Sequence, residues 1–283
     1  MSKPILTYLE FITPHYKFQL TVRENKFPLH TVSFFVGDEK NPCLDGNIML
    51  ENNSKNERYN SLQNKATLLK INALQECSLD DISDEYFQKY SFGTEVLHSI
   101  VYFINSQFPM IRTIRLNDSS YIPCIRDYSE TVDLLTYSIA LYKKTWYEEK
   151  LNAYILPKEK YEEYRKQVEI YASKETKDSM NFIDIYKMIL FSTGFTQKIV
   201  EESFDIYKGL FETSETLPDF FKALNKTIKR EEKCRFFKTW LEVFINSKIS
   251  IDRIWYFDLF PKIRKISMLI KKNKTRRLNH KKI

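Results

Sequence analysis

Glycine is scarce in this chain of 283 residues, which contains only five. Glycine usually makes up about 7% of a protein. Loops that cradle phosphate need backbone that can approach the ligand without Cβ atoms in the way. Neither the P-loop pattern nor the dinucleotide-binding pattern of glycines occurs in the sequence. The composition therefore excludes both of these classes of nucleotide-binding site.

Cysteine and histidine are also rare, with four residues of each. The cysteines are far apart and form no Cys-x-x-Cys pair, and the histidines form no His-x-His or His-x-x-x-His pair. Closely spaced ligands of this kind are typical of zinc sites. We therefore expect no metal site, and we expect the cysteines to be reduced thiols in an intracellular setting.

Long apolar runs are missing as well, since none approaches the ~18 residues that a membrane-spanning helix needs. Residues 1–20 also lack the uninterrupted apolar core of a secretory signal, because Lys3, Glu10 and Lys17 interrupt it. These features predict a protein without a transmembrane segment, located in the cytoplasm or the nucleus.

Acidic residues are absent from residues 259–283, which contain ten basic ones. The whole chain has 44 Lys+Arg against 37 Asp+Glu, so without these ten the remainder has 34 against 37, a balance of −3. The formal net charge of +7 is therefore the sum of a mildly acidic body and a strongly basic end. The ten residues are Lys262, Arg264, Lys265, Lys271, Lys272, Lys274, Arg276, Arg277, Lys281 and Lys282.

Four apolar residues, Ile263, Ile266, Leu269 and Ile270, recur at helical spacing among these cations. The pattern predicts a basic amphipathic tail over residues 259–283. Such a segment is suited to nucleic-acid phosphates, an anionic membrane surface, an acidic protein partner or nuclear import. A solvated terminus without a partner is the alternative.

The whole chain is 43% hydrophobic with 21 Phe and 18 Tyr, which is sufficient for a large hydrophobic core. Residues 18–23 and 30–36 are rich in β-branched and aromatic side chains and are bounded by turn residues, which predicts strands. The mostly apolar residues 66–74 predict a central strand. Changes in the spacing of the apolar residues then predict a helix over 94–107, a strand over 111–116 and a helix over 132–146.

From residue 158 onward, apolar residues recur with the 3.6-residue period of helices. The predicted helices are 159–173, 181–191, 197–211, 217–229 and 231–245. We therefore predict an α+β domain over 1–156, a helical domain over 157–258 and the basic tail over 259–283.

Two short motifs lie in the predicted strand-helix-strand-helix unit. Gln88-Lys89-Tyr90-Ser91-Phe92-Gly93 precedes its first helix, and Ala140-Leu141-Tyr142 lies in its second. In these features the chain resembles the Gcn5-related N-acetyltransferase (GNAT) family, whose phosphate motif is Gln/Arg-x-x-Gly-x-Gly/Ala. Ser91 replaces the first glycine of that motif. The resemblance implies a GNAT-like mixed sheet with flanking helices over roughly residues 18–156.

The resemblance also implies that the chain binds acetyl-CoA or another acyl-CoA and transfers the acyl group to an amine, or descends from an enzyme that did so. Tyr142 would protonate the departing thiolate, and Glu51 or Glu76 could act as the base through a water molecule. The pyrophosphate would be held by the backbone of Gln88, Ser91, Phe92, Gly93 and Thr94.

A different class of function also stays open at this point. The Asn-, Lys- and Ile-rich composition resembles that of proteins from large DNA viruses with AT-rich genomes, some of which carry GNAT-like domains with eroded motifs. The alternative is therefore a non-enzymatic structural or interaction protein, such as a virion component, that acts through its basic tail on nucleic acid or acidic subunits. An accessory protein of transcription or replication is a third interpretation.

Overall fold

The computed structural model describes residues 4–26, 30–37, 40, 42–50, 66–71, 92–118, 121–123, 131–193, 197–227, 237–246, 248–259 and 269–277. The chain forms two compact units. The first contains residues 1–119 and 253–283, and the second contains residues 120–252. The second unit is thus inserted into the sequence of the first.

Ten strands occur in the described residues, numbered here in chain order. They are β1 (Ile5–Ile12), β2 (Lys17–Asn25), β3 (Thr31–Gly37), β4 (Pro42–Met49), β5 (Ala66–Ile71), β6 (Thr113–Asn117), β7 (Tyr121–Pro123), β8 (Thr131–Asp133), β9 (Ile254–Asp258) and β10 (Leu269–Arg277). Strands β7 and β8 form a small antiparallel pair in the second unit. The other eight form one sheet in the order β10-β1-β2-β3-β4-β5-β6-β9.

Six of the seven neighbouring pairs in this sheet are antiparallel, and the pair of β5 and β6 is parallel. Parallel neighbours need a crossover connection, because the chain must return to the same end of the sheet. Helix α1 (Phe92–Gln107) lies between β5 and β6 in the sequence and belongs to this crossover. The predicted combination of a mixed sheet with helices is therefore confirmed at the level of an α+β protein.

Helix α1 packs on one face of the sheet. The ring of Phe103 contacts the rings of Phe11 and Phe34, with a centroid distance of 6.4 Å in both cases. Val96 and Ile100, which are four residues apart on the helix, are fully buried. Strands β3 and β6 bury every second residue.

Residues 269–277 of the basic segment form a strand, so the prediction of an amphipathic tail is wrong for these residues. Strand β10 pairs antiparallel with β1, from Leu269 opposite Ile12 to Arg277 opposite Ile5. Lys, Asn and Arg have low intrinsic preference for strands, but pairing with a neighbouring strand outweighs such preferences. Ile263 and Ile266, on which the helical pattern also depended, lie outside the described residues.

The observed units differ from the predicted domains. A boundary was predicted near residue 156, whereas the compact units meet at residues 119/120 and 252/253. Strand β9 falls within the predicted helical domain of 157–258, and it belongs to the sheet. The aromatic sequence Ile-Trp-Tyr-Phe of β9 is a strand signal that the prediction overlooked.

Helices make up most of the second unit. They are α2 (Leu134–Tyr142), α3 (Trp146–Leu151), α4 (Lys158–Tyr171), α5 (Lys174–Asp178), α6 (Phe182–Thr193), α7 (Gln197–Thr213) and α8 (Leu217–Thr227). A last helix over 237–241 continues as a π-helix, Glu242–Asn246. The helical period predicted α4, α6, α7 and α8 to within a few residues. Helix α5 was not predicted, and the described part of the last helix starts at 237.

An aromatic cluster around Trp240 forms the core of the second unit. The Trp240 ring is stacked on Phe244 with a centroid distance of 5.5 Å, and the Phe220 and Phe182 rings lie 5.2 and 6.1 Å away. Trp240 is fully buried. Such aromatic residues bury 150–250 Å² each, so this cluster dominates the hydrophobic stabilisation around the last helix.

Candidate functional sites

The start of helix α1 is the part of the predicted phosphate loop that the structure describes. Phe92 and Gly93 are its first two residues and Thr94 is the third. Gln88 and Ser91 lie outside the described residues. A helix therefore begins where the GNAT-like interpretation requires one, with its N-terminal N–H groups at this point of the sequence.

Glu95 places a carboxylate in the first turn of the same helix. The hydroxyl group of Thr13 donates a hydrogen bond to Oε2, and Nδ1 of His15 lies 2.5 Å from Oε1. Thr13 Oγ1 also accepts a hydrogen bond from the backbone N–H of Tyr16, at 3.0 Å. The turn between β1 and β2 is thereby tied to the start of α1.

This carboxylate changes the electrostatics of the predicted cofactor site. The positive N-terminal end of a helix favours an anion, and the Glu95 side chain, 17% exposed, provides one from within the chain. A pyrophosphate at the same helix end would meet a like charge, which is unfavourable. No short motif marks Glu95 in the sequence, because its partners Thr13 and His15 lie about 80 positions away.

Tyr142, the predicted catalytic acid, is the last residue of α2 and is 55% exposed. Lys143 follows in the left-handed conformation, with φ 60°, and its N–H donates to the Ile139 carbonyl. Tyr142 belongs to the second unit, whereas Phe92–Thr94 belong to the first. Glu51 and Glu76, the predicted bases, lie outside the described residues.

A second carboxylate, Glu148 in α3, is the centre of a buried polar cluster. Its Oε2 accepts hydrogen bonds from the backbone N–H of Thr145 at 2.7 Å and the hydroxyl of Tyr164 at 2.9 Å. Its Oε1 accepts from the hydroxyl of Tyr161 at 3.0 Å, and Nη1 of Arg165 lies 3.4 Å away. The Glu148 side chain is only 5% exposed.

Two tyrosines of this cluster titrate abnormally. Burial, together with the negative charge of Glu148 and its hydrogen bond, raises the pKa of Tyr161 to about 12. The same causes raise the pKa of Tyr164 still further above its usual value. Both phenols therefore stay protonated and act as hydrogen-bond donors, and the cluster is a stabilising junction between α3 and α4. The sequence signal for it was the capping-box pattern Thr145-x-x-Glu148.

The predicted partner-binding cations divide into two groups. Lys262, Arg264, Lys265, Lys281 and Lys282 lie outside the described residues. The others lie in β10, at one edge of the described sheet. They are Lys271, Lys272, Lys274, Arg276 and Arg277. Lys271 is opposite Glu10 of β1 in register, and β10 itself contains no acidic residue.

No group of three or more His, Cys, Asp or Glu residues suited to a metal ion occurs within the described ranges. Among the helices of those ranges, none has the length and apolar character to cross a membrane. No protein-family model, curated protein or solved structure matches the chain.

Proposed function

We propose that the protein is a non-enzymatic interaction protein that binds nucleic acid through the basic edge strand β10. The observation that carries the proposal is the presence of five cations and no acidic residue in nine residues of a paired strand. A dense run of Lys and Arg attracts the phosphates of a nucleic acid, which carries one negative charge per ~3.4 Å of each DNA strand.

Pairing with β1 also favours binding. A tail would lose conformational freedom when it binds, whereas the backbone of β10 is already paired with β1, apart from an irregularity in the register between Thr7 and Leu9. Less ordering is needed on binding, so more of the electrostatic attraction contributes to affinity. Lys and Arg are also typical of exposed sheet edges, where they prevent aggregation, so the same charges can serve both purposes.

Salt-dependent binding of the full chain tests the proposal. In a fluorescence-anisotropy titration, we expect a labelled oligonucleotide to bind with an affinity that falls steeply with salt. Each phosphate contact contributes about 0.7 to 0.9 to the slope of log K against log salt concentration. The triple variant K271Q/K272Q/K274Q should therefore lower the slope by about 2 to 3.

The matched control removes three lysines from exposed helical positions. Lys160 and Lys166 of α4 and Lys187 of α6 are exposed. The variant K160Q/K166Q/K187Q removes the same net charge as K271Q/K272Q/K274Q does. It should leave most of the slope of log K against log salt concentration unchanged. If the two triple variants lowered the salt slope equally, net charge alone would explain the effect, and this would contradict the proposal. Tighter binding of poly-glutamate than of the oligonucleotide would instead assign an acidic protein partner.

A second candidate function is acyl-CoA binding with N-acyl transfer in a GNAT-like domain. It is supported by the parallel pair β5–β6 with α1 between them in the sequence, and by Gly93 in the first turn of α1. The carboxylate of Glu95 in that turn opposes it, because a pyrophosphate would meet a like charge there.

Calorimetry with acetyl-CoA tests this second candidate directly. The second candidate would be supported if the full chain bound acetyl-CoA and the binding weakened when Gly93 was replaced by a bulky residue. Loss of acyl transfer in Y142F would support it as well. The absence of heat at millimolar acetyl-CoA would rule it out. The E95Q variant sharpens the test, since removal of the negative charge should strengthen any pyrophosphate binding at this helix end.

A further inference from the structure

The corner that follows helix α2 presents an aromatic ring and two lysines in consecutive residues. Tyr142, the last residue of the helix, is 55% exposed, and Lys143 and Lys144 are exposed as well. We refer to these three residues as the α2 corner. It belongs to the second unit, and all three of its side chains are accessible to solvent.

Both lysines of the α2 corner are without an ionic partner among the residues that the structure describes. The nearest acidic residues along the chain are engaged elsewhere. Glu148 accepts hydrogen bonds from two tyrosines of α4, and Glu149 lies 2.8 Å from Nζ of Lys150. The positive charge of the corner is therefore available to an anionic ligand.

Lys143 has a backbone conformation that is unfavourable for a lysine. Its φ of 60° and ψ of 17° lie in the left-handed region, and glycine is the usual residue at such a helix end because a Cβ atom is disfavoured there. Helix α3 ends in the same conformation at Asn152, with φ 51°, but asparagine tolerates it. The lysine thus strains the backbone, and such strain tends to occur where a residue has a function.

Arg165 of α4 anchors the α2 corner. Its Nη1 donates a hydrogen bond to the carbonyl oxygen of Lys143 at 2.8 Å and lies 3.4 Å from Oε1 of the buried Glu148. The guanidinium group offsets the partial negative charge at the C-terminal end of α2, which would otherwise repel a phosphate. Because the backbone is anchored at Lys143, less ordering of the corner is needed when a ligand binds.

The geometry points to a second contact with nucleic acid at the α2 corner, where an unpaired base stacks on Tyr142 and neighbouring phosphates bind Lys143 and Lys144. This inference rests on the proposed nucleic-acid binding through β10, and it adds a preference for a single strand. An exposed ring beside cationic side chains is typical of surfaces that bind unpaired strands. A duplex keeps its bases stacked inside the helix, so it would use only the two lysines.

The test compares a single strand with its duplex. Fluorescein-labelled dT20 and the dT20·dA20 duplex are titrated with the full chain and its variants, and binding is followed by fluorescence anisotropy. Y142L should weaken dT20 binding about 5- to 150-fold because the stacked base is lost, whereas Y142F keeps the ring and binds as the wild type does. K143Q/K144Q should lower the slope of log K against log salt concentration for dT20 by about 1.4.

Matched controls come from exposed positions on other helices. K174Q/K187Q removes one exposed lysine from α5 and one from α6, and it should leave the salt slope for dT20 nearly unchanged. Y102L removes a ring of α1 that is 36% exposed, and it should bind dT20 like the wild type.

Replacing Lys143 by glycine separates binding from stability. K143G relieves the left-handed strain, so the melting temperature should rise, and it removes one phosphate contact, so the salt slope for dT20 should fall by about 0.7. An unchanged slope in K143G would mean that the lysine serves only the end of the helix, and this would contradict the inference.

The remaining outcomes are distinguishable. Tighter binding of dT20 than of the duplex, together with the losses in Y142L and K143Q/K144Q, supports the inference. Equal or tighter binding of the duplex, or unchanged dT20 binding by either variant, overturns the inference and leaves β10 as the binding element. No binding of either probe overturns the proposed function, and with it the inference.

Discussion

Glu95 and Glu148 are two carboxylates near helix N-termini in very different surroundings. Glu95, in the first turn of α1, is 17% exposed and interacts with side chains of the β1–β2 turn. Glu148, in the first turn of α3, is 5% exposed and accepts hydrogen bonds from one backbone and two phenolic donors. The helix end favours a negative charge at both places.

Burial separates the two sites in energy. An exposed charge keeps much of its hydration when a contact is lost, whereas a buried charge and its donors do not recover water. The comparison predicts that changes around Glu148 are costly and that equivalent changes around Glu95 are mild. Five measurements, in order of decreasing expected effect, test this difference.

Replacing Glu148 by Ala should have the largest effect, a loss of about 3–5 kcal/mol in the free energy of unfolding. The substitution leaves the hydroxyl of Tyr164 and the backbone N–H of Thr145 without their acceptor. Urea denaturation followed by circular dichroism measures the change. The control is Glu149→Ala, at the next position, which is 52% exposed and should cost no more than about 0.5 kcal/mol. Similar losses for the two variants would contradict the comparison.

Alkaline pH should weaken the Glu148 cluster through its phenols. An unfolded tyrosine loses its proton near pH 10, whereas Tyr161 in the folded chain keeps it until about pH 12. The stabilisation is therefore complete below pH 10 and is lost as the pH rises through the folded pKa. The free energy of unfolding should fall between pH 10 and 12, and less steeply in Y161F/Y164F.

Removing one phenolic hydroxyl from the cluster should cost about 1–3 kcal/mol, because it deletes a buried hydrogen bond to a charged acceptor. Tyr164→Phe is expected near the upper end and Tyr161→Phe near the lower, since Tyr164 is almost fully buried and Tyr161 is half-buried. Chemical denaturation of both variants ranks them. The reverse order would show that burial does not control these bonds.

Glu95→Gln should cost about 1 kcal/mol, because the amide keeps an acceptor for Thr13 and the site is partly hydrated. A double-mutant cycle with His15→Ala isolates the coupling between the two side chains. If the coupling energy between Glu95 and His15 were as large as that between Glu148 and Tyr164, the two carboxylates would not differ in energy as the comparison predicts.

The smallest effect is expected for the exposed ion pair of Lys158 and Glu162, whose charged atoms are 3.1 Å apart. Both side chains are more than half exposed, and such pairs contribute about 0.3–0.5 kcal/mol. Glu162→Gln should therefore leave the melting temperature nearly unchanged. A clear loss would mean that exposure is a poor guide to the energies of charged groups in this protein.

Local periodicity predicted much of the fold. Strands β2 and β3 and helices α4 and α7 were identified because each repeats its apolar residues with its own period over several turns or pleats. Strand β1 was missed, although its apolar and aromatic residues between Pro4 and Pro14 carry a strand signal. In each of these cases, the pattern that predicts the element lies within the element's own residues.

Long-range pairing could not be predicted in the same way. The assignment of residues 269–277 to a strand depends on β1, which lies at the other end of the sequence. The contacts of Glu95 with Thr13 and His15 likewise join residues about 80 positions apart. By contrast, the Thr145-x-x-Glu148 capping box was legible in the sequence, and only its tyrosine partners required the fold.

The pairing of β1 with β10 has a consequence for synthesis. Roughly 250 residues separate Ile12 from Leu269, which takes about 13–50 s at the usual elongation rate of 5–20 residues per second. Throughout that time, the outer edge of β1 in the nascent chain has no native partner. An open strand edge is a template for unwanted pairing. Strand β1 must therefore wait for β10, which is made much later.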